Sequence, residues 1–388
     1  MIKRHLAKKL TYLATKFPVL SVTGPRQSGK TTLVRSVFDH YEYHSLEDLN
    51  TREFAQNDPK GFLLGRTKGM IIDEIQQSPE LLSYMQTVVD SSGKTGRFII
   101  TGSQNLLVAQ NVSQTLAGRV AILQLLPFSI AELNTASLTV GNCDELMYTG
   151  LYPRIYDKEI LPADWYPNYI HTYLERDIRM LKHVSNLNTF QKFLKLCAGR
   201  TGQLLNLTSL GNDCGITHNT AKAWISILEA SYIVHLLRPY HKNFNKRIVK
   251  MPKLYFYDTG LVCALLGIKS AQELSTHYLK GSIFETLIIA ELMKTRLNEG
   301  KEPDMYFWRD KRGNEIDCVV ENGAELIKIE VKSGATINED YFSGLKYWDK
   351  ISGGDAKNSY LVYGGAEEQK RTVAAVRTWH NAGSILDR

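Results

Sequence analysis

A chain of 388 residues exceeds what one ordinary hydrophobic core organises, and 43% hydrophobic with 22% charged residues marks a folded protein, not a disordered or fibrous one. No apolar run approaches a membrane span and the basic N-terminus lacks the unbroken apolar core of a secretory signal, so the cytoplasm is the expected setting, with no membrane partner. Cys143, Cys197, Cys214, Cys263 and Cys318 form no CxxC pair and have no close histidine, which argues against a zinc site or a disulfide framework.

The net charge of +7 has a local origin. Between residues 192 and 253, ten cations (Lys192, Lys195, Arg200, Lys222, Arg238, Lys242, Lys246, Arg247, Lys250 and Lys253) face two anions (Asp213 and Glu229), a surplus of eight. Such a segment is a footprint for a polyanion, and nucleic acid, DNA first, is the expected partner.

In chain order, the apolar run at 19–22 predicts a strand, followed by a glycine-rich turn and an amphipathic helix. Gly24, Gly29, Lys30 and Thr31 satisfy GxxxxGK[ST] in the strand-turn-helix setting that the motif requires. Residues Gly24, Pro25, Arg26, Gln27, Ser28, Gly29, Lys30, Thr31 and Thr32 are therefore expected to cradle the phosphates of ATP, with Lys30 on the outer phosphates and the Thr31 hydroxyl at a Mg²⁺ position. A second apolar strand, "GMIIDEIQ", ends in Asp73 and Glu74, at the edge where ligands bind in open α/β sheets. Asp73 is expected to hold Mg²⁺ through water and Glu74 to polarise the attacking water. That extra acid favours hydrolysis over phosphoryl transfer to a metabolite. A third strand, "RFIITGSQNLL", ends in Thr101, Gly102, Ser103, Gln104 and Asn105, polar groups suited to sensing the γ-phosphate; Ser103 is the expected contact. Arg119, in "LAGR", has two readings of equal weight. It contacts a γ-phosphate, in its own subunit or in a neighbour within a homo-oligomer, or it forms a structural salt bridge beside the sheet.

GPRQSGKTTL, IIDEIQ, FIITGSQNLL, LAGR and LPFSIAEL, in this order, resemble the AAA-like ATPases of bacteria and archaea, related to STAND-type ATPases, that carry a C-terminal domain of uncharacterised function. The resemblance covers essentially the whole chain and implies a nucleoside triphosphatase with a five-stranded core sheet.

In the middle, "LLNLTSLGNDCGITHNTAKAWISILEASYIVHLLRPY" predicts two helices around a short glycine-containing break, the second placing Ala221, Ile225, Leu228 and Ile233 inward and His218, Asn219 and Lys222 outward. With Thr217 as cap and a basic loop carrying Lys242, Lys246, Arg247 and Lys250 between two strands, the layout is that of a winged helix. Winged helices also serve as protein-binding modules or lids, so this layout alone does not decide the partner.

Further on, "GSIFETLIIAELMK" predicts an apolar helix bearing Glu285; "MYFWRD" and "EIDCVVEN" form a hairpin bearing Asp317, with Glu315 two residues before it; "ELIKIEVKSG" predicts a strand bearing Glu330 and Lys332 on one face. This series resembles the PD-(D/E)XK restriction-endonuclease-like nucleases. The resemblance implies that Asp317 and Glu330 share a Mg²⁺ ion, that Lys332 activates water and that Glu285 supports the metal; Glu315 is a rival ligand.

The expected architecture is multidomain α/β: a P-loop domain over 1–135, a helical connector over 136–204, a winged helix over 205–270 and a nuclease-like domain over 271–388. The expected function is Mg-dependent ATP hydrolysis coupled to DNA binding or processing. The alternative is an ATP-driven switch or scaffold whose nuclease-like domain binds without cutting.

Overall fold

The structure, a computed structural model, describes residues 2–64, 68–103, 115–138, 141–174, 186–240, 249–323, 325–352 and 357–386. Two compact units divide the chain: one comprises Met1–Phe128 with the short segments Ala230–Tyr232 and Leu297–Lys301, the other Ser129–Glu229, Ile233–Arg296 and Glu302–Arg388. Among the described residues no helix is long and apolar enough to cross a membrane.

The first unit is built on five parallel strands, β1 (Val19–Thr23), β2 (Glu42–Ser45), β3 (Met70–Asp73), β4 (Phe98–Gly102) and β5 (Val120–Gln124), in the order β2-β3-β4-β1-β5. β1, β3 and β4 are buried along their whole length, which is why they read as unbroken apolar runs: both faces of a parallel sheet are covered. On one face Leu20, Val22, Ile71 and Ile99 pack against Leu6 and Leu10 of the helix Leu6–Ala14 and Leu33 and Val34 of the helix Lys30–Val37. On the other, Val19, Ile72, Phe98 and Ile100 meet Phe62 of the helix Pro59–Leu63 and Leu81 and Met85 of the helix Leu81–Ser92. The register aligns Thr23 with Gly102 and Ser45 with Asp73, so the C-terminal ends of these strands share one edge.

The second unit opens with short helices whose aromatic residues Tyr152, Trp165, Tyr166 and Tyr169 interlock. Asp258, 2% exposed, ties this region down by accepting from Leu151 N (2.7 Å), Leu261 N (2.9 Å) and Tyr166 Oη (2.6 Å). Truncation of Asp258 to Ala would strand these buried donors. It should cost about 3 kcal/mol, read as a lower denaturation midpoint at unchanged slope.

Nine strands then form one sheet: β6 (Gln203–Leu204), β7 (Val234–Pro239), β8 (Lys253–Phe256), β9 (Met305–Arg309), β10 (Glu315–Asn322), β11 (Glu325–Lys332), β12 (Ser359–Tyr363), β13 (Gln369–Lys370) and β14 (Ala375–Thr378), in the order β13-β14-β12-β11-β10-β9-β7-β8-β6. Helices Leu187–Ala198, Leu207–Cys214 and His218–Ala230 accompany the antiparallel trio β6, β8 and β7. Thr217 caps the last of them by accepting from Thr220 N (3.1 Å), and Ala221, Ile225 and Leu228 are buried in it. Ile233 lies past that helix, just before β7, although its spacing placed it in the helical stripe.

Arg238 and Pro239 of β7 pair in parallel with Tyr306 and Phe307 of β9, which joins the strands before and after 270/271 in one sheet. β7 thus finds a partner on the edge that β8 leaves free. The helix Lys280–Asn298 is buried nearly all round, with Ile283, Phe284, Leu287, Ile288 and Leu292 almost without exposure.

Candidate functional site

The turn after β1 takes its shape from backbone that ordinary residues avoid. Gly24 (φ 151°) lies so close to the chain that a Cβ would meet Leu125 O at 2.1 Å, and Gln27 (φ 60°) and Gly29 (φ 90°) are left-handed. Arg4 holds the turn from behind, donating to Ser28 O (2.7 Å) and Leu126 O (2.7 Å). Lys30, 6% exposed, donates through Nζ to Gly24 O (3.0 Å) and Pro25 O (2.8 Å). Thr31 Oγ1 donates to Asp73 Oδ2 (2.9 Å), and the same carboxylate accepts from Tyr43 (2.8 Å) and Thr101. Burial first, then the Asp73 hydrogen bond and charge, push the Tyr43 hydroxyl up to about 12. Glu74 follows in the left-handed region (φ 58°, ψ 50°) and meets Gln76 and Ser103, whose hydroxyl lies 3.3 Å from Glu74 Oε2. Thr31, Asp73, Tyr43 and Thr101 form an all-oxygen donor set, which fits a hard cation such as Mg²⁺.

In the second unit, four carboxylates converge from one helix and two strands. Lys253 of β8, its side chain 4% exposed, lies among three of them: its Nζ is 2.8 Å from Glu285 Oε1, ion-paired with Glu315 and 3.8 Å from Asp317 Oδ1. Tyr255, two residues along the same strand face, also donates to Glu285. Asp317 Oδ2 accepts from Val331 N (2.8 Å) and lies 3.5 Å from Lys332 Nζ, which donates to Glu330 Oε1 (2.5 Å). Arg309 reaches Glu315 Oε2 at 3.0 Å. Glu330 Oε2 is buried with no hydrogen-bond partner. Burial, reinforced by the Asp317 charge, pushes Glu285 up to about 7 and Glu330 up to about 8, against the opposing pull of Lys253 and Lys332 respectively. Burial opposes the charge on Lys253, but the carboxylates of Glu285, Asp317 and Glu315 outweigh it and raise its pKa. A cavity of about 400 Å³ opens here, lined in part by Gln203, Lys253, Glu285, Arg309 and Glu315.

Comparison with known proteins divides the chain in three. Residues 16–134 match the AAA domain family, residues 141–272 match a domain of unknown function (DUF8612) and residues 280–380 match another (DUF4143). The first third is an AAA-like P-loop ATPase domain. An uncharacterized protein of Mycobacterium tuberculosis is 28% identical over 337 residues, 86% of this chain and 74% of that one. An uncharacterized protein of Methanocaldococcus jannaschii is 20% identical over 341 residues, 79% and 73% of the two chains. Among solved structures, the Walker-type ATPase of Pyrococcus abyssi is similar at 13% identity with a TM-score of 0.46, covering 68% of this chain and 96% of that one.

Within the AAA-like domain, the structure brings Gly24, Pro25, Gln27, Ser28, Gly29, Lys30 and Thr31 to one edge together with Asp73, Glu74 and Ser103. Thr32 follows Thr31 on the first turn of the same helix, and Arg26 turns toward Glu47 (3.9 Å). Gln104 and Asn105 lie outside the described residues. Arg119 lies away from the phosphate loop of its own chain. It precedes β5, with its carbonyl bonded to Val19 N at the start of β1, and so sits at the edge opposite the phosphate loop. There it forms a two-pronged pair with Asp90 (2.5 and 2.9 Å), the salt bridge of the second reading.

Asp317, Glu330, Lys332, Glu285 and Glu315 do come together, but Lys253 stands among the carboxylates, and no group of three or more His, Cys, Asp or Glu among the described residues is arranged to hold a metal ion. Lys253 thereby leaves the basic footprint to which its place in the chain assigned it, and Arg200 is neutralised by Asp213. Arg4 and Tyr43 gave no motif signal. The alternation in "KLYF" puts Lys253 and Tyr255 on a single strand face, a signal that the basic stretch around Lys253 masks.

Proposed function

We propose that the protein is a Mg²⁺-dependent ATPase that uses ATP binding and hydrolysis as a switch on DNA held by its second unit. The observation that carries this reading is the Thr31–Asp73 hydrogen bond with Glu74 beside it, at the edge where the phosphate loop opens. Thr31 and Asp73 would hold Mg²⁺, which supplies charge neutralisation for the phosphates. Lys30 brings a fixed positive charge to the outer phosphates, and the backbone N–H groups of the turn, which Pro25 lacks, line it. Glu74 accepts the proton of the attacking water, and Ser103 and Gln76 fix its carboxylate. Purified protein should hydrolyse ATP, lose turnover on chelation of Mg²⁺ and respond to added DNA. Absence of hydrolysis under all these conditions would defeat the reading.

DNA contact is supported by the succession of helix, strand, two helices and two strands over residues 187–256, a winged-helix layout with Lys222 exposed on the last helix and Lys250 exposed beside the loop before β8. Lys242, Lys246 and Arg247 lie outside the described residues. Replacing Lys222 and Lys250 together by Ala should flatten the dependence of log Kd on log salt by about 1.8, or about 0.9 for each phosphate no longer neutralised. An unchanged slope would mean that these lysines do not touch the DNA.

A second reading, DNA cleavage by a PD-(D/E)XK-like site, is favoured by the convergence of Asp317, Glu330 and Lys332 with an unpartnered oxygen on Glu330. The lysine among its carboxylates makes the non-cutting switch the better supported of the two. Incubation of wild type with Mg²⁺ or Mn²⁺ and several DNA forms, alongside Asp317→Ala and Lys332→Ala, decides between them. Cleavage by wild type that disappears in both variants would establish the second reading.

A further inference from the structure

We infer that Lys253 is the resident cation of the carboxylate cluster: its ammonium takes the place that the cluster's chemistry would otherwise give to a divalent ion, and removing it turns the cluster into a divalent-cation site. This inference does not depend on the ATPase reading.

Four carboxylates lie close together, with side-chain exposures of 15% for Glu285, 20% for Glu315, 10% for Asp317 and 9% for Glu330. Carboxylates so shielded need cations near them, since an unpaired buried charge is strongly unfavourable. Three cations supply the need. Arg309 and Lys332 stand at the two flanks, on Glu315 and on Glu330 with Asp317. Lys253 stands at the centre. An ammonium has three N–H donors and no acceptor, and Lys253 faces three carboxylates, Glu285, Glu315 and Asp317, as a small hard cation bound by oxygen ligands would.

The lysine is not a mobile surface group that has folded inward. It belongs to β8, whose backbone is bonded to β6 at Leu204 and to β7 at Leu237 in register with Lys253 itself. The residue is 3% exposed, and its strand neighbour Tyr255 ties the same Glu285. A second observation marks the remaining coordination capacity: Glu330 Oε2 is buried without a partner next to Lys332 and Asp317. With Lys253, Arg309 and Lys332 all in place, this oxygen still has no donor. Without Lys253, Glu285, Glu315 and Asp317 would join Glu330 as an oxygen cage of excess negative charge.

The test uses the full chain with Asp73→Asn, which silences the phosphate-loop carboxylate, and reads Mn²⁺ binding without nucleotide by the loss of the free-ion paramagnetic resonance signal. The parent should show no Mn²⁺ site that depends on Asp317. Lys253→Met, close in length and uncharged, should gain one site at least about tenfold tighter, the ratio that 1.4 kcal/mol represents. That site should vanish on adding Asp317→Asn, and Mn²⁺ should raise the melting temperature of Lys253→Met alone. A folded Lys253→Met with no new site would overturn the inference, as would a parent that binds Mn²⁺ equally well through Asp317. Lys253→Gln serves as the second variant, with the same expectation. Should neither variant fold, the parent titration decides: Mn²⁺ binding that disappears on Asp317→Asn overturns the inference and its absence upholds it.

Discussion

Glu74→Gln is expected to lower ATP turnover by about 10²- to 10⁴-fold, the usual worth of a positioned general base, while nucleotide affinity stays within a factor of about three. The separation follows from where Glu74 stands. Its carboxylate meets Gln76 and Ser103, whereas the groups proposed to bind phosphate and Mg²⁺, Lys30, Thr31 and Asp73, are joined by a different set of bonds. Its backbone is left-handed at φ 58°, which costs a residue with a Cβ on the order of 1 kcal/mol. That conformation turns the side chain off the line of β3 and toward the end of β4, where Thr101 Oγ1 accepts from the Glu74 amide (3.4 Å). Gln has the same length and tolerates the same backbone, so the variant removes a base and little else. Steady-state phosphate release and equilibrium binding of a fluorescent nucleotide, measured on the same preparation, check both halves. Normal phosphate release would show that another group activates the water.

The parts of the fold that could be read from residues alone are those in which burial is two-sided. β1, β3 and β4 announce themselves as apolar runs, and the acids that end β3 then fall at the ligand edge by necessity. β2, "EYHS", is half-buried throughout at the sheet's edge and carries no apolar run, so nothing local distinguishes it from a loop. β5 hides inside a longer apolar stretch, which also concealed the position of Arg119. Once β5 is placed parallel to β1, a residue preceding it must lie at the opposite edge from the phosphate loop. The carboxylate cluster was legible because Asp317, Glu330 and Lys332 obey strand periodicity. Lys253 was not, since a long basic stretch of chain makes any one lysine look solvated. Its partners are Glu285, 32 residues on, and Asp317, 64 residues on, and only the pairing of β7 with β9 puts β8 and β10 in one sheet.

Lys30→Ala should weaken ATP binding by about 10- to 150-fold, since a charge-assisted hydrogen bond to phosphate contributes roughly 1.5–3 kcal/mol. A second effect arises from the loop. Lys30 Nζ ties back the carbonyls of Gly24 and Pro25, in a turn held open by left-handed backbone at Gln27 and Gly29 and anchored from behind by Arg4. Losing the ammonium leaves those carbonyls without that donor, so part of the lost affinity would come from a less ordered cradle and part from the missing charge. Lys30→Arg separates the two. It restores the charge and donors to the carbonyls but carries a planar fork in place of a compact ammonium. If charge dominates, Arg recovers most of the binding; if the cradle's shape dominates, Arg binds as poorly as Ala. Binding by Lys30→Ala within about threefold of wild type would mean that the backbone N–H groups of the turn hold the phosphates without the lysine.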